Sequence, residues 1–264
     1  PYDMKVMTKP AEMQKASSGW RQRGQTIAFV PTMGALHEAH AALIRQAAQM
    51  ADRVVVSAYV NPTQFNSKAD FRAYPKRMAA DIKVAARAGA DLLFRPHDLY
   101  AKNASTWVEE VDRSKGRCGA RRPGHFRGVA TVVVKLLSIV QPDWMLLGEK
   151  DGQQCEVLER VVRDLYLPVR IVRFRTLREK DGLPLSSRNQ RLNRVGRERA
   201  GLWAEAVRKA AAQGSRSAVN TLRRSLRGCP GVRLEYAEVT GGFLWVAAWV
   251  GGVRLIDHRK CRSK

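Results

Sequence analysis

The strongest constraint on the fold is a repeated alternation of short apolar runs with stretches of helical composition. Ile27 to Pro31 is an apolar run that a proline ends. Thr32-Met33-Gly34 then turns the chain, and Ala39 to Met50 has the composition of a helix. Val54 to Val60 repeats the pattern and breaks at Asn61-Pro62; Ala79 to Ala88 is helical up to Gly89, and Asp91 to Phe94 is a third strand. Val129 to Val140 reads as a helix stopped by Pro142, because its apolar residues recur all round. Trp144 to Leu147, Gln153 to Asp164 and Val169 to Phe174 continue as strand, helix and strand. Apolar strands joined through helices require a parallel sheet with right-handed crossovers, covered on both faces. The expected class is α/β: a doubly wound, Rossmann-like sheet over residues 1–176, with ligands at the carboxyl ends of its strands.

After residue 177 the pattern changes. Arg194 to Gln213 and Ala218 to Arg227 are helical, and Cys229-Pro230-Gly231 breaks the chain. Arg233 to Val239, Phe243 to Val250 and Val253 to Ile256 are β-like, separated by Gly241-Gly242 and Gly251-Gly252. A Gly-Gly pair between strands is a hairpin signal. Residues 177–264 are therefore expected to form a smaller α+β domain.

Charge limits the partners. The 264 residues carry 47 Lys and Arg against 24 Asp and Glu, a net charge of +23, and 33 of the bases are Arg. Residues 185–264 hold 17 bases against 5 acids, so the basic excess is densest there. Such a chain attracts anions, whether nucleic acid, anionic lipid or small phosphates and carboxylates. No apolar run approaches the ~20 residues of a membrane helix, and no signal-peptide pattern opens the chain. The expectation is a soluble cytoplasmic protein with no membrane partner. Cys118, Cys155, Cys229 and Cys261 are scattered without metal-site spacing and read as reduced thiols, although their even number leaves a disulfide open.

Chemistry concentrates where strands end. Pro31 to His40 follows a strand and opens a helix, with His37 and His40 three apart on one turn. Helix N-termini attract phosphate, and imidazoles there can stabilise a leaving pyrophosphate. Asn61-Pro62-Thr63-Gln64-Phe65 offers neutral donors and acceptors that suit a hydroxy acid. Arg122-Pro-Gly-His125-Phe-Arg127-Gly128 is a basic loop able to clamp an anion. Leu147 to Gln154 is another strand-to-helix corner, where Lys150 can neutralise phosphate as a point charge. Leu185-Ser186-Ser187-Arg188-Asn189 supplies two hydroxyls and a guanidinium; on a mobile segment it would close over a triphosphate.

The motifs PTMGALHEAH, VNPTQF, RPGHFRGVATVV, QPDWMLLGEKDGQQ and DGLPLSSRN stand here in one order. With the C-terminal WVAAWVGGVRLID they make the chain resemble the pantothenate synthetase (pantoate–β-alanine ligase) family over nearly its whole length. The paired histidines alone would indicate only the wider HxGH nucleotidylyltransferase superfamily, and the SSRN segment is similar to the KMSKS loop of class I tRNA synthetases. The resemblance implies a two-step ligation. ATP converts the pantoate carboxylate into a pantoyl adenylate with release of pyrophosphate; the amine of β-alanine then displaces AMP.

Carried over by position, the resemblance places the chemistry on His37, His40, Lys150 and Arg188, with His37 a proton donor. It assigns ATP to Met33, Gly34, Ala35, Leu36, His37, Glu38, Ala39 and His40, to Gly148, Glu149, Lys150 and Asp151, and to Leu177, Leu185, Ser186, Ser187 and Arg188. Pantoate falls to Met33, Gln64 and Gln154, and β-alanine to Gln64. Asn61, Tyr74, Arg122 and His125 lie near that pocket. Magnesium travels with ATP, with Asp81 a contributor, and no tightly bound prosthetic group is implied. The resemblance also implies a homodimer through the larger domain.

Departures from the family pattern are Ala39 for the Gly of HxGH, Ala80 for a second acid before Asp81, and Gly152 for an aromatic. Gly152 is expected to remove packing beside Gln154; Cys118 and Arg121 also depart. A different nucleotidyltransferase would share the histidines but has no need of VNPTQF or GEKDGQQ. A nucleic-acid-binding protein would account for +23 but not for neutral glutamines at strand ends, so nucleic acid is not the expected partner. Trp203, Trp245 and Trp249 are expected to pack the small domain, and Arg173, Arg175 and Arg178 to form a solvated face.

Overall fold

The structure, a computed structural model, describes residues 4–263. Two compact units divide the chain: residues up to 149 with 153–174, and residues 150–152 with those from 175 on. Parallel strands β1 (Lys5–Met7), β2 (Ile27–Thr32), β3 (Arg53–Ala58), β4 (Leu92–Phe94), β5 (Trp144–Gly148) and β6 (Arg170–Phe174) build the first unit. Its helices are α1 (Pro10–Gln22), α2 (Glu38–Ala48), α3 (Lys68–Arg72), α4 (Met78–Arg87), α5 (Arg117–Arg121), α6 (His125–Val140) and α7 (Gly152–Asp164), the last of which starts one residue inside the second unit.

Among the described residues the strand order is β1-β4-β3-β2-β5-β6, all pairs parallel. Direction along the sheet reverses between β2 and β5, so the carboxyl ends of these two strands meet at the switch point where doubly wound folds bind ligands. Both faces are covered. Phe29, Val55, Leu92 and Met145 pack with Met13 of α1 and Val129, Val133 and Leu136 of α6 on one face. Val30, Val56 and Leu93 pack with Leu43 and Ile44 of α2 and Ala85 of α4 on the other. Each such side chain contributes roughly 1.5–3 kcal/mol when withdrawn from water.

The sequence alternation begins at residue 27, and β1 and α1 precede it. A three-residue strand is too short to show a period, and Ser17, Ser18 and Gly19 dilute the apolar face of α1 formed by Met13, Ala16 and Trp20. Helix α6 starts at His125, four residues before the apolar run, because Gly124 at φ +76° turns the chain into it.

The second unit holds α8 (Arg194–Ala212), α9 (Ala218–Leu226) and the antiparallel strands β7 (Val232–Thr240), β8 (Phe243–Val250) and β9 (Val253–Lys260) in the order β7-β8-β9. Both hairpins turn on their Gly-Gly pairs, and all four glycines have positive φ, the requirement of a type I′ turn. Trp203, Ala204 and Val207 of α8 pack on Leu244, Val246 and Ala248 of β8. Trp245 is buried, and the half-buried Trp249 donates its Nε1–H to Glu235, so the tryptophans pack this unit as expected.

One arginine departs from expectation. Arg173 pairs with Glu159 near the surface, but Arg178 is not on a solvated face. Its guanidinium donates twice, at 2.8 Å each, to Asp257, which is 3% exposed in β9. A carboxylate buried in a strand requires such a partner; β9 itself runs on, paired with β8, through Asp257 to Lys260, beyond the expected end at Ile256. No disulfide joins the four cysteines. Among the described residues no helix is long and apolar enough to cross a membrane.

Candidate active site

The loop after β2 is held from two sides. The Thr32 hydroxyl donates to the Ser57 carbonyl of β3 at 2.6 Å and accepts the Gly34 N–H at 3.1 Å. Gly34 (φ +81°) and Ala35 (φ +52°) then both adopt left-handed backbone, which is costly for alanine. Asp81 of α4 compensates. It accepts the Ala35 N–H at 3.0 Å and the Leu36 N–H at 2.7 Å, one on each carboxylate oxygen. A Cβ at Gly34 would stand 3.0 Å from the Asp81 Oδ2. Burial pushes the Asp81 carboxyl above its ordinary range, while the two loop N–H bonds and Arg77 pull it back.

Out of this loop comes His37, the N-cap of α2. The Ala39 N–H donates to His37 Nδ1 and the His37 N–H donates to His40 Nδ1, both at 3.3 Å, and the rings lie 4.1 Å apart. An Nδ1 that accepts a backbone N–H has no proton of its own, so each neutral ring carries its proton on Nε2. The cap thus sets the tautomer of both histidines. Ala39 contributes its N–H, and α2 runs over it without a break, as its helix propensity predicts. Glu38 lies in the first turn and pairs with Arg45.

A second polar group forms where β3 ends. Asn61, 1% exposed, donates to Gln64 Oε1 at 3.1 Å and to the Gly128 carbonyl at 3.0 Å. Its Oδ1 accepts the hydroxyls of Thr63 and Tyr100, both at 3.0 Å. Burial pushes the Tyr100 phenol up, which keeps it a neutral donor. Gln64 Nε2 reaches the Met33 sulfur at 3.1 Å, so the two expected pantoate residues of this region are in contact. His125 Nδ1 lies 2.9 Å from the Gln64 carbonyl and its Nε2 lies 3.0 Å from Arg122 Nη1. A carbonyl only accepts and a guanidinium only donates, so His125 is the neutral Nδ1–H form. Arg122 also donates to the Gln64 carbonyl at 3.1 Å, so in the structure it braces that turn. Tyr74 packs edge-on against Phe65.

Gly128 was part of a motif but had no role in the sequence reading. A Cβ there would fall 2.5 Å from the Thr63 carbonyl oxygen and 2.9 Å from the Gln64 N. Glycine therefore lets α6 touch the turn that presents Gln64. Tyr100 and Gln153 also escaped the sequence reading. Gln153, 4% exposed, accepts the Cys118 N–H and donates to the carbonyls of Arg113 and Lys115. Its neighbour Gln154 points elsewhere on α7, and the adjacent pair divides into a structural residue and a half-buried one. A cavity of about 450 Å³ opens at the ends of β2, β3 and β4, walled by Met33, Gly34, Tyr59 and Asp81.

Of the remaining expected residues, Gly148 and Glu149 belong to the first unit, and Lys150, Asp151, Leu177, Leu185, Ser186, Ser187 and Arg188 to the second. Gly148 ends β5, a turn spans Glu149–Asp151, and Lys150 pairs with Asp151 at 3.4 Å. Leu177 and Leu185 face each other across a hairpin closed by the Leu185 N–H to the Leu177 carbonyl at 2.9 Å. Arg178 braces that hairpin from Asp257, Asn189 donates to Glu179 and to the Pro184 carbonyl, and Arg197 bridges Glu179 and Asp181. Ser186 then caps the turn Ser187–Arg191 by accepting the Arg188 N–H at 3.2 Å. Lys150, Ser186 and Arg188 border one small cavity of about 10 Å³. The expected SSR segment is thus tethered through its backbone.

Gly152 corrects another expectation. The space beside it is not vacant: a Cβ there would lie 2.8 Å from two ring carbons of Trp245 and 2.9 Å from His258 Cε1.

Asp81 was expected to contribute to a magnesium ion that travels with ATP. In the structure both of its oxygens accept loop N–H groups, and among the described residues no three His, Cys, Asp or Glu side chains are grouped to hold a metal. A metal accompanying ATP would rest largely on the phosphates.

Comparison with known proteins agrees with this architecture. The family model described as pantoate-beta-alanine ligase matches residues 5–260. The chain is 42% identical to pantothenate synthetase 1 of Bradyrhizobium diazoefficiens, over 97% of each protein, and 43% identical to the pantothenate synthetase of a Chelativorans species over 94% of each. A crystal structure of pantothenate synthetase from Thermus thermophilus superposes with a TM-score of 0.89 at 36% identity, covering 97% of this chain and 99% of that one. The Francisella tularensis pantoate-beta-alanine ligase, complexed with beta-gamma ATP and beta-alanine, superposes with a TM-score of 0.88 at 35% identity and 97% coverage of both. With the ordered motifs, the switch-point histidines and the whole-length match together, this chain belongs to the pantoate–β-alanine ligase family.

Proposed function

We propose that this chain joins pantoate to β-alanine at the cost of one ATP, through a pantoyl adenylate. A carboxylate oxygen of pantoate attacks the α-phosphorus of ATP and pyrophosphate leaves with the electron pair of the broken P–O bond. The β-alanine amine then attacks the acyl carbon, AMP leaves, and the nitrogen loses a proton as the amide forms. Adenylation is needed because a free carboxylate has no competent leaving group.

The observation that carries this reading is the paired cap of His37 and His40 at the end of β2. Two imidazoles with Nδ1 fixed as acceptors present Nε2–H donors, which suit the charge that builds on a departing pyrophosphate. His37 is the proton donor in this scheme. The left-handed turn at Gly34 and Ala35 has its N–H groups bonded to Thr32 and Asp81, so its part is to fix where α2 begins and hence where the two histidines stand. Gln64, held by Asn61 and by Met33, orients pantoate through neutral hydrogen bonds, and Gln154 adds a second amide. Gln64 also borders the β-alanine position. In the second unit Lys150 supplies a point charge at the transferring phosphorus, and Ser186, Ser187 and Arg188 supply donors to the phosphates. Leu177 and Leu185 contribute backbone beside the nucleotide. The complex of the Francisella tularensis relative, named for beta-gamma ATP and beta-alanine, supports these two ligand classes.

Release of pyrophosphate and AMP tests the reading. Pyrophosphate is expected with ATP and pantoate alone, and AMP in catalytic turnover only when β-alanine is added. No pyrophosphate release in the presence of pantoate would overturn it.

A further inference from the structure

Lys150, Asp151 and Gly152 lie between residues that belong to the first unit, yet they count with the second. Gly152 stands in close contact there. Its missing Cβ would stand 2.8 Å from Trp245 Cη2 and Cζ3 and 2.9 Å from His258 Cε1. Real Cβ atoms do not approach carbon that closely, so only glycine sits at this depth. The surface it meets is stiff. Trp245 and His258 stack at 4.5 Å and 19°, on the adjacent strands β8 and β9 where they are register partners. The Trp245 Nε1–H donates to the Thr240 carbonyl at 3.2 Å, and Phe243 packs on both rings at 6.2 and 5.7 Å. Both rings are more than nine-tenths buried.

A backbone resting on a fixed aromatic pair has a fixed depth, and Lys150 is two residues upstream. Its side chain borders the cavity shared with Ser186 and Arg188, flanked by Leu255 and Ile256 of β9. We infer that Trp245 and His258 are positioning residues for Lys150: they set its reach by seating Gly152. The inference rests on the proposed role of Lys150. Its physical content is that the volume at position 152 and the volume of the stack are complementary, so adding atoms to one displaces the lysine unless the other gives them up.

The test is pantoate-dependent pyrophosphate release by the whole enzyme, with KM for ATP and kcat measured separately and melting followed alongside. Gly152→Ala is expected to lower kcat/KM about 10-fold or more, since a shift of an ångström at a charge-stabilising group costs up to about 100-fold. Gly152→Ala with Trp245→Leu should recover most of that loss. His258→Phe, which keeps a flat ring, should hold activity within about threefold of wild type, whereas His258→Ala should not. In a Lys150→Ala background Gly152→Ala should cost almost nothing more, because residues acting through one group are not additive. Wild-type kinetics in Gly152→Ala, or losses that multiply with Lys150→Ala, overturn the inference while leaving the role of Lys150 intact. Wild-type rates in Lys150→Ala alone overturn that role and the inference with it. If Trp245→Leu fails to fold, Trp245→Phe replaces it in the swap.

Discussion

The Asp81 carboxylate accepts the Leu36 N–H at 2.7 Å and thereby ties α4 to the loop that leads into α2. With the second bond to Ala35 it holds the left-handed pair Gly34–Ala35, one residue short of His37. Asp81→Ala leaves two buried N–H groups without an acceptor. The expected loss is about 2 kcal/mol of stability, read by denaturant unfolding, relief of the buried charge offsetting part of the cost of the stranded donors. Activity should fall with it, and raising magnesium should not restore it; recovery at high magnesium would show an ion ligand instead of a loop anchor.

Gly128→Ala forces a methyl to within 2.5 Å of the Thr63 carbonyl oxygen. Backbone cannot swing aside as a side chain does, so α6 and the Pro62–Gln64 turn must separate. We expect a loss of about 2–3 kcal/mol in thermal or denaturant unfolding and a raised KM for pantoate with a smaller effect on KM for ATP. Equal effects on the two constants would place Gly128 outside the Gln64 support.

His40→Ala and Lys150→Ala are expected to lower kcat at least about 100-fold, the usual scale for removing one donor to developing charge. Rapid-quench measurement of the first turnover locates the loss in pyrophosphate release. For His37 and His40 a second consequence follows from the cap. His37→Asn keeps an acceptor for the Ala39 N–H, so it should preserve melting temperature while losing turnover.

Arg197 holds the Asp181 carboxyl below its ordinary value of 3.8, with the Leu183 N–H assisting. A lowered folded-state value means that the unfolded chain binds the proton more readily. The stability from this pair is therefore complete above about pH 4 and is lost as pH falls through the depressed value. The stability difference between wild type and Asp181→Asn should be constant from pH 5 to 7 and shrink in more acid solution. A difference that grows on acidification would refute the pairing as its source.

Much of this protein was legible in order along the chain. The strands that end at Thr32, Ala58 and Gly148 were visible to within three residues as apolar runs meeting turn residues, because strand periodicity and breakers are local properties. The glycine pairs of the second unit required positive φ, and all four glycines have it. The identities of His37, Gln64, Lys150 and Arg188 as a set came from motif order.

What the chain could not disclose were partnerships across distance. The family resemblance offered Asp81 only as a companion to magnesium; its bonds to two loop N–H groups 46 and 45 residues away were not legible. Arg178 sat in an alternating basic run that reads as solvated, and its partner Asp257 is 79 residues on. Gly152 read as a missing aromatic until Trp245 and His258, a full domain later in sequence, proved to occupy its space.

The sequence by itself determined the sheet class, the positions of its corners and the family. The tertiary structure alone decided which polar groups serve each other and which are left to serve a ligand. The physical reason is that periodicity and turn chemistry act over a few residues, whereas a buried carboxylate, imidazole or amide takes whatever partner the packed chain brings within about 3 Å.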